Sequence, residues 1–492
     1  MCDVAVRGAR IEAVGDLGAA GAAEVVDGAG SMLCPGFIDL HAHSALASFD
    51  DPLLEPKLLQ GFTTDVICPD GLAPAPVGPG RQEARREYLR ALEGDGPPVW
   101  TWTTFDEYLD ALEETRPALT LVPSIAHGAV RELVVGGDAV APDAGQLARM
   151  REEVRLGLEA GARMLSFGLV YIPGAYARTD ELVAVAEEAA AFGVPLVPHV
   201  RNEAAGLLEA TREMIDVARR AGAPLHVSHL KAVAYDELIE PLLELLDEAA
   251  EDLDVTFDQY PYTAGSTLLA SLLPGWAQAG GALATLERVA DATDRRDIER
   301  DIRQGLPGWE NLLGTLGPER IVVLGRTLAE IGADRGTDAV DTLCDLLLES
   351  ELGAPMILHY STDAAVRTIA AHRLQLIGSD GIFGELPHPR LYGTAPRFLG
   401  RFVLREGLLP VEEAVARLTA RAAARVGLGD RGRIEPGLRA DLVLIDPAEY
   451  VDTATYESPT QSPPGVRGVW VAGERVVRDG VATGARPGGI AR

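Results

Sequence analysis

Eight apolar, β-branched runs, each followed by a stretch with helical spacing, constrain the fold of this 492-residue chain. Eight strand–helix units close a parallel barrel, in which the C-terminal ends of the strands meet at one mouth. We therefore predict an α/β fold built on a closed barrel. The predicted strands are residues 37–43, 64–68, 119–127, 163–171, 194–200, 224–231, 255–262 and 374–380.

Side chains able to bind metal stand at the ends of several of these strands. His41 and His43 close the first run two positions apart, so both imidazoles point to the same side of the strand in a chelating geometry. Alone, the pair could equally be two histidines that cap a strand. His199, His229 and Asp380 end three further runs, however, and a barrel would bring all five side chains to its mouth. The pattern predicts a metal centre.

Longer sequence blocks resemble a known family. PGFIDLHAH, the paired His199 and His229, GSDG at 378–381 and DRGRIEPGLRADLVLID resemble the amidohydrolase superfamily of metal-dependent hydrolases. GARMLSFGLVYIPGAYARTDEL, PHVRNE, VSHLK, DQYPYTAGST and HPRLYGTAPRFLGRFV resemble the D-aminoacylases, also called N-acyl-D-amino-acid deacylases. The resemblance runs over nearly the whole chain. It implies a (β/α)8 TIM-type barrel with a small β-sandwich domain formed by both chain ends.

The expected domain boundaries follow from the same comparison. Residues 1–35 and 432–492 alternate apolar and polar positions and are expected to form the two parts of the sandwich, with the barrel over 36–431. At 47% hydrophobic, the chain can bury a barrel core of this size. Two stretches, 268–308 and 337–352, exceed the usual connection length and are expected to be lids or substrate walls. Alternatively they are contacts of a homo-oligomer.

The bridging ligand is expected to differ from that of many superfamily members, which use a carboxylated lysine. Lys57 and Lys231 are the only lysines in the chain, and Lys57 falls in the helical segment 53–60. A lysine bridge would therefore require Lys231, which lies two residues past His229.

In the D-aminoacylases the bridge is a cysteine just after the second strand. Ungapped matching puts Asp70 at that position and Cys68 two residues earlier. A carboxylate can bind Zn²⁺ as a thiolate does, so we expect Asp70 to be the ligand and Cys68 to be a buried structural thiol. A shift of register, with Cys68 as the ligand, is the alternative.

The resemblance implies Zn²⁺ as the cofactor, as one or two ions. The expected ligands are His41, His43, Asp70, His199, His229 and Asp380. Zinc lowers the pKa of its bound water to about 7 and polarises a carbonyl. Asp380 is expected to take the proton from this water and pass it to the departing amine.

The substrate is expected to be a small molecule that bears a carboxylate beside the scissile amide. Residues that match the family positions for holding this carboxylate are Lys231, Tyr262 and Arg390, with Ser266 assisting. Arg201, His127 and His388 are weaker candidates, interpreted as structural or as supporting the ligands.

Charge and cysteine content exclude other classes of protein. The 44 basic and 74 acidic residues give a net charge of −30, which repels nucleic acid and anionic membranes. The cysteines, Cys2, Cys34, Cys68 and Cys344, are too scattered for a disulfide framework and favour a cytoplasmic protein. No apolar run reaches the length of a membrane span.

The sequence therefore predicts a zinc-dependent hydrolase that removes the N-acyl group from D-amino acids or close analogues. One alternative is a hydrolase of cyclic amides or other C–N bonds on the same barrel. The other is a catalytically silent scaffold, which would have no need of the five histidine and aspartate residues at the strand ends.

Overall fold

The computed structural model describes residues 3–18, 21–28, 30–384 and 386–492, so Cys2 lies outside the described residues. A ring of eight parallel strands is its centre. The strands are Phe37–His43 (β1), Phe62–Ile67 (β2), Thr120–Pro123 with Ile125–Ala126 (β3), Leu165–Gly168 (β4), Leu196–His199 (β5), Leu225–Val227 (β6), Val255–Gln259 (β7) and Gln375–Ile377 with Gly381–Ile382 (β8). The predicted (β/α)8 barrel is confirmed.

Two of the strands close the ring because each is divided into halves with different partners. The first half of β3 pairs with β2 and the second with β4. In the same way, Gln375–Ile377 of β8 pairs with β7, whereas Gly381–Ile382 pairs with β1. The strands enclose an apolar plug that includes Ile38, Leu40, Val66, Val122, Met164, Val197 and Leu376.

Helices cover the outside of the barrel, as amphipathic spacing predicts. Leu207–Ala221 buries Met214, Ile215 and Val217 against the barrel and ends at Gly222, whose φ of 72° suits a residue without a side chain. The other helices of the barrel and its connections are Ala47–Asp50, Glu55–Leu58, Gln82–Glu93, Phe105–Glu114, His127–Val134, Ala144–Glu159, Gly174–Tyr176, Thr179–Phe192, Asp236–Leu238, Ile239–Ala249, Asp363–Ala371, Arg390–Ala395, Pro396–Arg405, Val411–Leu418 and Ala420–Arg425. Of the helices in these described ranges, none is both long and apolar enough to cross a membrane.

An insertion between β7 and β8 contains both stretches that the sequence marks as enlarged loops. It has its own antiparallel sheet and a separate apolar core. The strands are Ala264–Leu268, Ile321–Val323, Arg326–Thr327 and Pro355–His359. The helices are Leu269–Leu272, Gly275–Gln278, Ala282–Ala290, Ala292–Gln304, Leu312–Leu316, Pro318–Arg320, Leu328–Arg335 and Ala339–Glu349. The two stretches are thus parts of one packed unit and not separate loops.

Strands from both chain ends form the smaller β-domain. Met32–Pro35 pairs with Leu442–Ile445 in a five-stranded antiparallel sheet. The other strands of this sheet are Val466–Val471, Glu474–Arg478 and Val481–Ala482, and Asp3–Arg7 with Arg10–Gly15 forms a separate hairpin. The last strand, Gly489–Ile490, pairs instead with β3 of the barrel.

Candidate metal centre

The barrel brings all six predicted metal ligands to its C-terminal mouth. His41 and His43 end β1 and His199 ends β5. Asp70 and His229 lie in the loops after β2 and β6, and Asp380 lies in the break of β8. All six side chains are buried, and their ligand atoms form two groups that share Asp70.

The two oxygens of Asp70 face different histidine pairs. Oδ2 lies 3.4 Å from Nε2 of His41 and 3.7 Å from Nε2 of His43. Oδ1 lies 3.3 Å from Nε2 of His229 and 3.8 Å from Nδ1 of His199. The carboxylate therefore has the arrangement of a bridge between two cation positions.

The spacing of these atoms fits a zinc ion. Two ligand atoms that each lie about 2.1 Å from zinc at a tetrahedral angle are about 3.4 Å apart. The distances from Asp380 are close to this value, since its Oδ1 lies 3.2 Å from Nε2 of His43 and 3.7 Å from Nε2 of His41.

Polar atoms without hydrogen-bond partners at the barrel mouth provide a second test of whether these side chains suit a zinc ion. Both ring nitrogens of His41, both of His199 and Oδ1 of Asp70 are buried without a hydrogen-bond partner. Buried polar atoms are normally paired, so this donor set is suited to a bound cation.

Cys68 lies outside the two groups of possible ligands that contain Asp70. Burial, followed by the nearby Glu93 carboxylate, raises the pKa of Cys68 well above its ordinary value. Its side chain belongs to the main apolar core. A metal ligand must be a thiolate, and this environment favours the neutral thiol.

Close backbone contacts hold the loop that carries Asp70. A side chain on Gly168 at the end of β4 would come within 1.8 Å of the Asp70 carbonyl oxygen. Ser166 donates to the Cys68 carbonyl and accepts from the Gly71 amide. Asp70 has a φ of 55°, and His229 and Asp380 also have positive φ, at 34° and 51°. Strained non-glycine residues persist only where the surroundings fix them, and they cluster at functional sites.

Three carboxylates that sequence reasoning missed lie beside the histidines, and one of them, Glu93, is hydrogen-bonded to its histidine. Glu93 Oε1 lies 2.7 Å from Nδ1 of His43. Glu203 lies 3.4 Å from Nε2 of His199 and 3.2 Å from Nδ1 of His229, and Asp258 lies 3.9 Å from Nδ1 of His41. Histidine ligands generally have such partners. The only sequence signal is the position of Glu203, four residues after His199.

A cavity of about 240 Å³ opens over the cluster. Lys231 and Ser266 line it, as expected for residues that hold a substrate carboxylate. Tyr262 and Arg390 do not belong to its lining. Tyr262 is buried behind the wall, where its hydroxyl donates to the Pro389 carbonyl.

Arg390 contacts Asp380 instead of the cavity. Its Nη1 lies 2.9 Å from Oδ2 of Asp380, and its Nη2 donates to the Ser266 carbonyl. Burial alone would raise the pKa of Asp380, but Arg390 foremost, with His43, holds it far below its ordinary value. The structure thus shows an ion pair that keeps Asp380 charged, and contact between Arg390 and a substrate carboxylate stays a prediction.

The three weaker candidates lie outside the ligand cluster. Arg201 borders the cavity, but its guanidinium is bonded to Glu213 and to backbone carbonyls. His127 is bonded to Glu181, and His388 packs against Tyr262.

The insertion contributes cavity residues that the sequence did not indicate. Glu310 accepts a hydrogen bond from the Glu203 amide. Burial and the Glu203 charge raise the pKa of Glu310 to about 8. Glu203 itself, despite its burial, has a pKa lowered to about 2 by His199 and Lys231. Tyr260 and Tyr360, also in the lining, are joined through their hydroxyls at 2.8 Å.

Comparisons with known proteins agree with this geometry. The model of the amidohydrolase family matches residues 24–477. The N-acyl-D-glutamate deacylase of Alcaligenes xylosoxydans xylosoxydans is 35% identical to this chain, over 100% of this chain and 92% of its own length. The D-aminoacylase of the same organism is 33% identical, over 99% of this chain and 93% of its own length. The structure of N-acyl-D-glutamate deacylase from Bordetella bronchiseptica, complexed with zinc and a phosphonate inhibitor, superposes with a TM-score of 0.83 at 31% identity, over 100% of this chain and 95% of that chain.

Proposed function

Because the chain belongs to the amidohydrolase family, we propose that it is a zinc-dependent hydrolase that removes the N-acyl group from D-amino acids or close analogues. The observation that carries this proposal is the pair of buried His/Asp groups sharing Asp70 at the barrel mouth, in a chain similar over its full length to two deacylases of D-amino acids.

One or two zinc ions would be held by the six clustered side chains, His41, His43, Asp70, His199, His229 and Asp380. The chemistry that zinc supplies when bound is activation of water for attack at neutral pH and polarisation of the amide carbonyl. Glu93 orients the His43 ring through its Nδ1 atom, and the Glu203 carboxylate lies beside the rings of His199 and His229.

Asp380 is proposed to move the protons. Arg390 holds its carboxylate ionised, so Oδ1 can accept a proton from the attacking water. The same group then donates that proton to the departing amine, which must be protonated to leave. Asp380 is placed for this role because it borders the cavity as well as the cluster.

Lys231 and Ser266 are proposed to bind the substrate carboxylate. Lys231 presents an ammonium at the cavity wall, 2.7 Å from Glu203. A carboxylate beside the scissile amide would gain a charge-assisted hydrogen bond from this ammonium. This group also favours linear N-acyl amino acids over cyclic amides that lack a carboxylate.

The free thiols of Cys34, Cys68 and Cys344 are all buried. They suit a reducing compartment, and we propose that the enzyme acts in the cytoplasm.

The proposal is tested by assaying zinc-loaded protein with N-acetyl-D-amino acids, their L enantiomers and cyclic amides. We expect turnover of the D series. Turnover confined to cyclic amides, or none of any substrate, would contradict the proposal.

Two buried histidines provide a matched pair of variants. His199→Ala should reduce both zinc content and rate, whereas His127→Ala should retain its zinc because His127 is bonded to Glu181 outside the cluster. Equal zinc loss in both variants would remove His199 from the ligand set.

A further inference from the structure

Lys57 is a fully buried cation beneath the proposed metal centre. It extends from the short helix Glu55–Leu58, and its Nζ lies 2.5 Å from Oδ2 of Asp39 and 2.6 Å from Oγ of Ser379. The ammonium also lies 5.7 Å from the centre of the Phe62 ring. An apolar side chain would fill this space without the cost of burying a charge, so packing alone does not explain a lysine here.

Nζ of Lys57 also lies 3.9 Å from Oδ2 of Asp65, but its two hydrogen-bond partners, Asp39 and Ser379, are adjacent to proposed ligands. Asp39 lies two residues before His41 on the same face of β1, and its Oδ1 accepts from the His41 amide at 3.1 Å. The same oxygen accepts from the Ser379 amide at 2.7 Å. Asp39 thus joins the backbone of β1 at His41 to the backbone of β8 next to Asp380.

The Ser379 hydroxyl fixes the other side of Asp380. Its oxygen accepts from the Gly381 amide at 3.1 Å while it is bonded to Lys57. Asp380 lies between these two anchored residues with its own amide bonded to the His41 carbonyl at 2.8 Å. A non-glycine residue at its φ of 51° needs such anchoring, because this left-handed conformation is strained.

We infer that Lys57 is a positioning residue of the metal centre, which fixes His41 and Asp380 relative to one another through Asp39 and Ser379. The ammonium forms hydrogen bonds with these two residues and not with the ligands themselves. This inference rests on the metal centre of the proposed function.

Cobalt provides a readout of ligand geometry that is independent of turnover. We would replace zinc with Co²⁺ and record its visible absorption bands and its apparent affinity in competition with a chelator. In Lys57→Met the bands should change and the affinity should fall about 10–100-fold, as is typical when a group supporting the ligands is removed. The kcat should fall by at least about tenfold, with KM within threefold of wild type, because Lys57 does not line the cavity.

Arg417→Met is the matched control. Arg417 is a buried cation that bonds Gln375 at the opposite end of β8, and also Glu413. Its loss should lower the melting temperature while the cobalt bands and affinity stay as in wild type. Wild-type bands and affinity in Lys57→Met, or equal changes in Arg417→Met, would overturn the inference.

If Lys57→Met does not fold, the inference is tested with Ser379→Ala. This variant removes only the hydroxyl that connects Lys57 to the Gly381 amide. Altered cobalt bands in this variant support the inference, and unaltered bands overturn it. Wild-type protein that binds no cobalt would instead refute the metal centre, so failure of the proposed function is distinguishable from failure of the role of Lys57.

Discussion

Replacing Arg390 by methionine separates two roles for this residue. The sequence predicts contact with the substrate carboxylate, whereas the structure pairs the guanidinium with Asp380 at 2.9 Å. Arg390 is completely buried and stacks 4.5 Å from the centre of the Tyr260 ring. Methionine retains much of the volume and removes the charge.

The size of the effect follows from the burial of the pair. Removing one partner of a buried ion pair costs about 3–5 kcal/mol. If Asp380 loses about 3 kcal/mol of stabilisation of its charged form, its equilibrium between the ionised and the protonated form changes about a hundredfold, at about 1.4 kcal/mol per tenfold. We therefore expect the acidic limb of the kcat profile to move up by about two pH units. KM should change little, because the guanidinium does not line the cavity.

The pH profile gives the sign of the same effect. Arg390 holds the pKa of Asp380 below its ordinary value, so its loss raises that pKa and moves the acidic limb of kcat to higher pH. The assay measures kcat and KM against pH for an N-acetyl-D-amino acid and its methyl ester, with Arg390→Lys as the charge-retaining control. A tenfold rise in KM for the acid alone, with kcat unchanged, would refute the structural interpretation.

Three further predictions concern individual carboxylates and the thiol. Asp380→Asn should lower kcat by about 10²–10⁴-fold with an unchanged circular dichroism spectrum, and a rate within threefold of wild type would contradict the proton-transfer role. Asp70→Ala should lose metal, whereas Cys68→Ser should lower mainly the melting temperature; a cobalt–thiolate charge-transfer band that disappears in Cys68→Ser would reverse this assignment. Glu310 has a pKa raised to about 8, so its stabilisation is present below its ordinary pKa of about 4.5 and is lost as the pH rises through 8. Glu310→Gln should therefore gain in melting temperature relative to wild type between pH 5 and 8, and a constant difference would contradict the assignment.

The barrel and the ligand cluster could be predicted because their signals are local. Apolar runs with helical stretches between them define the strands, and the residue that ends each run is read directly from the sequence. The sequence alone therefore places His41 and His199 at the same mouth of the barrel, where the structure brings them together. Asp70 is placed by the resemblance, because ungapped matching puts it at the position of the bridging cysteine in the D-aminoacylases.

The contacts that were not predicted depend on tertiary packing between distant segments. Ile321–Val323 and Arg326–Thr327 are too short to show a period, so the sheet of the insertion has no sequence signature. Arg390 reaches Asp380 only because the start of its helix lies beside the break in β8. Glu310 approaches Glu203 across 107 residues of chain.

The placement of the two lysines has a consequence for chemical labelling. Lys57 is sealed inside the protein, and the Lys231 side chain is 13% exposed at the cavity wall. An amine-directed acylating reagent modifies surface lysines in most proteins. In this protein the lysine that such a reagent can reach is Lys231, inside the cavity. The mass of the peptide that contains Lys231 would then report whether the cavity is open or filled.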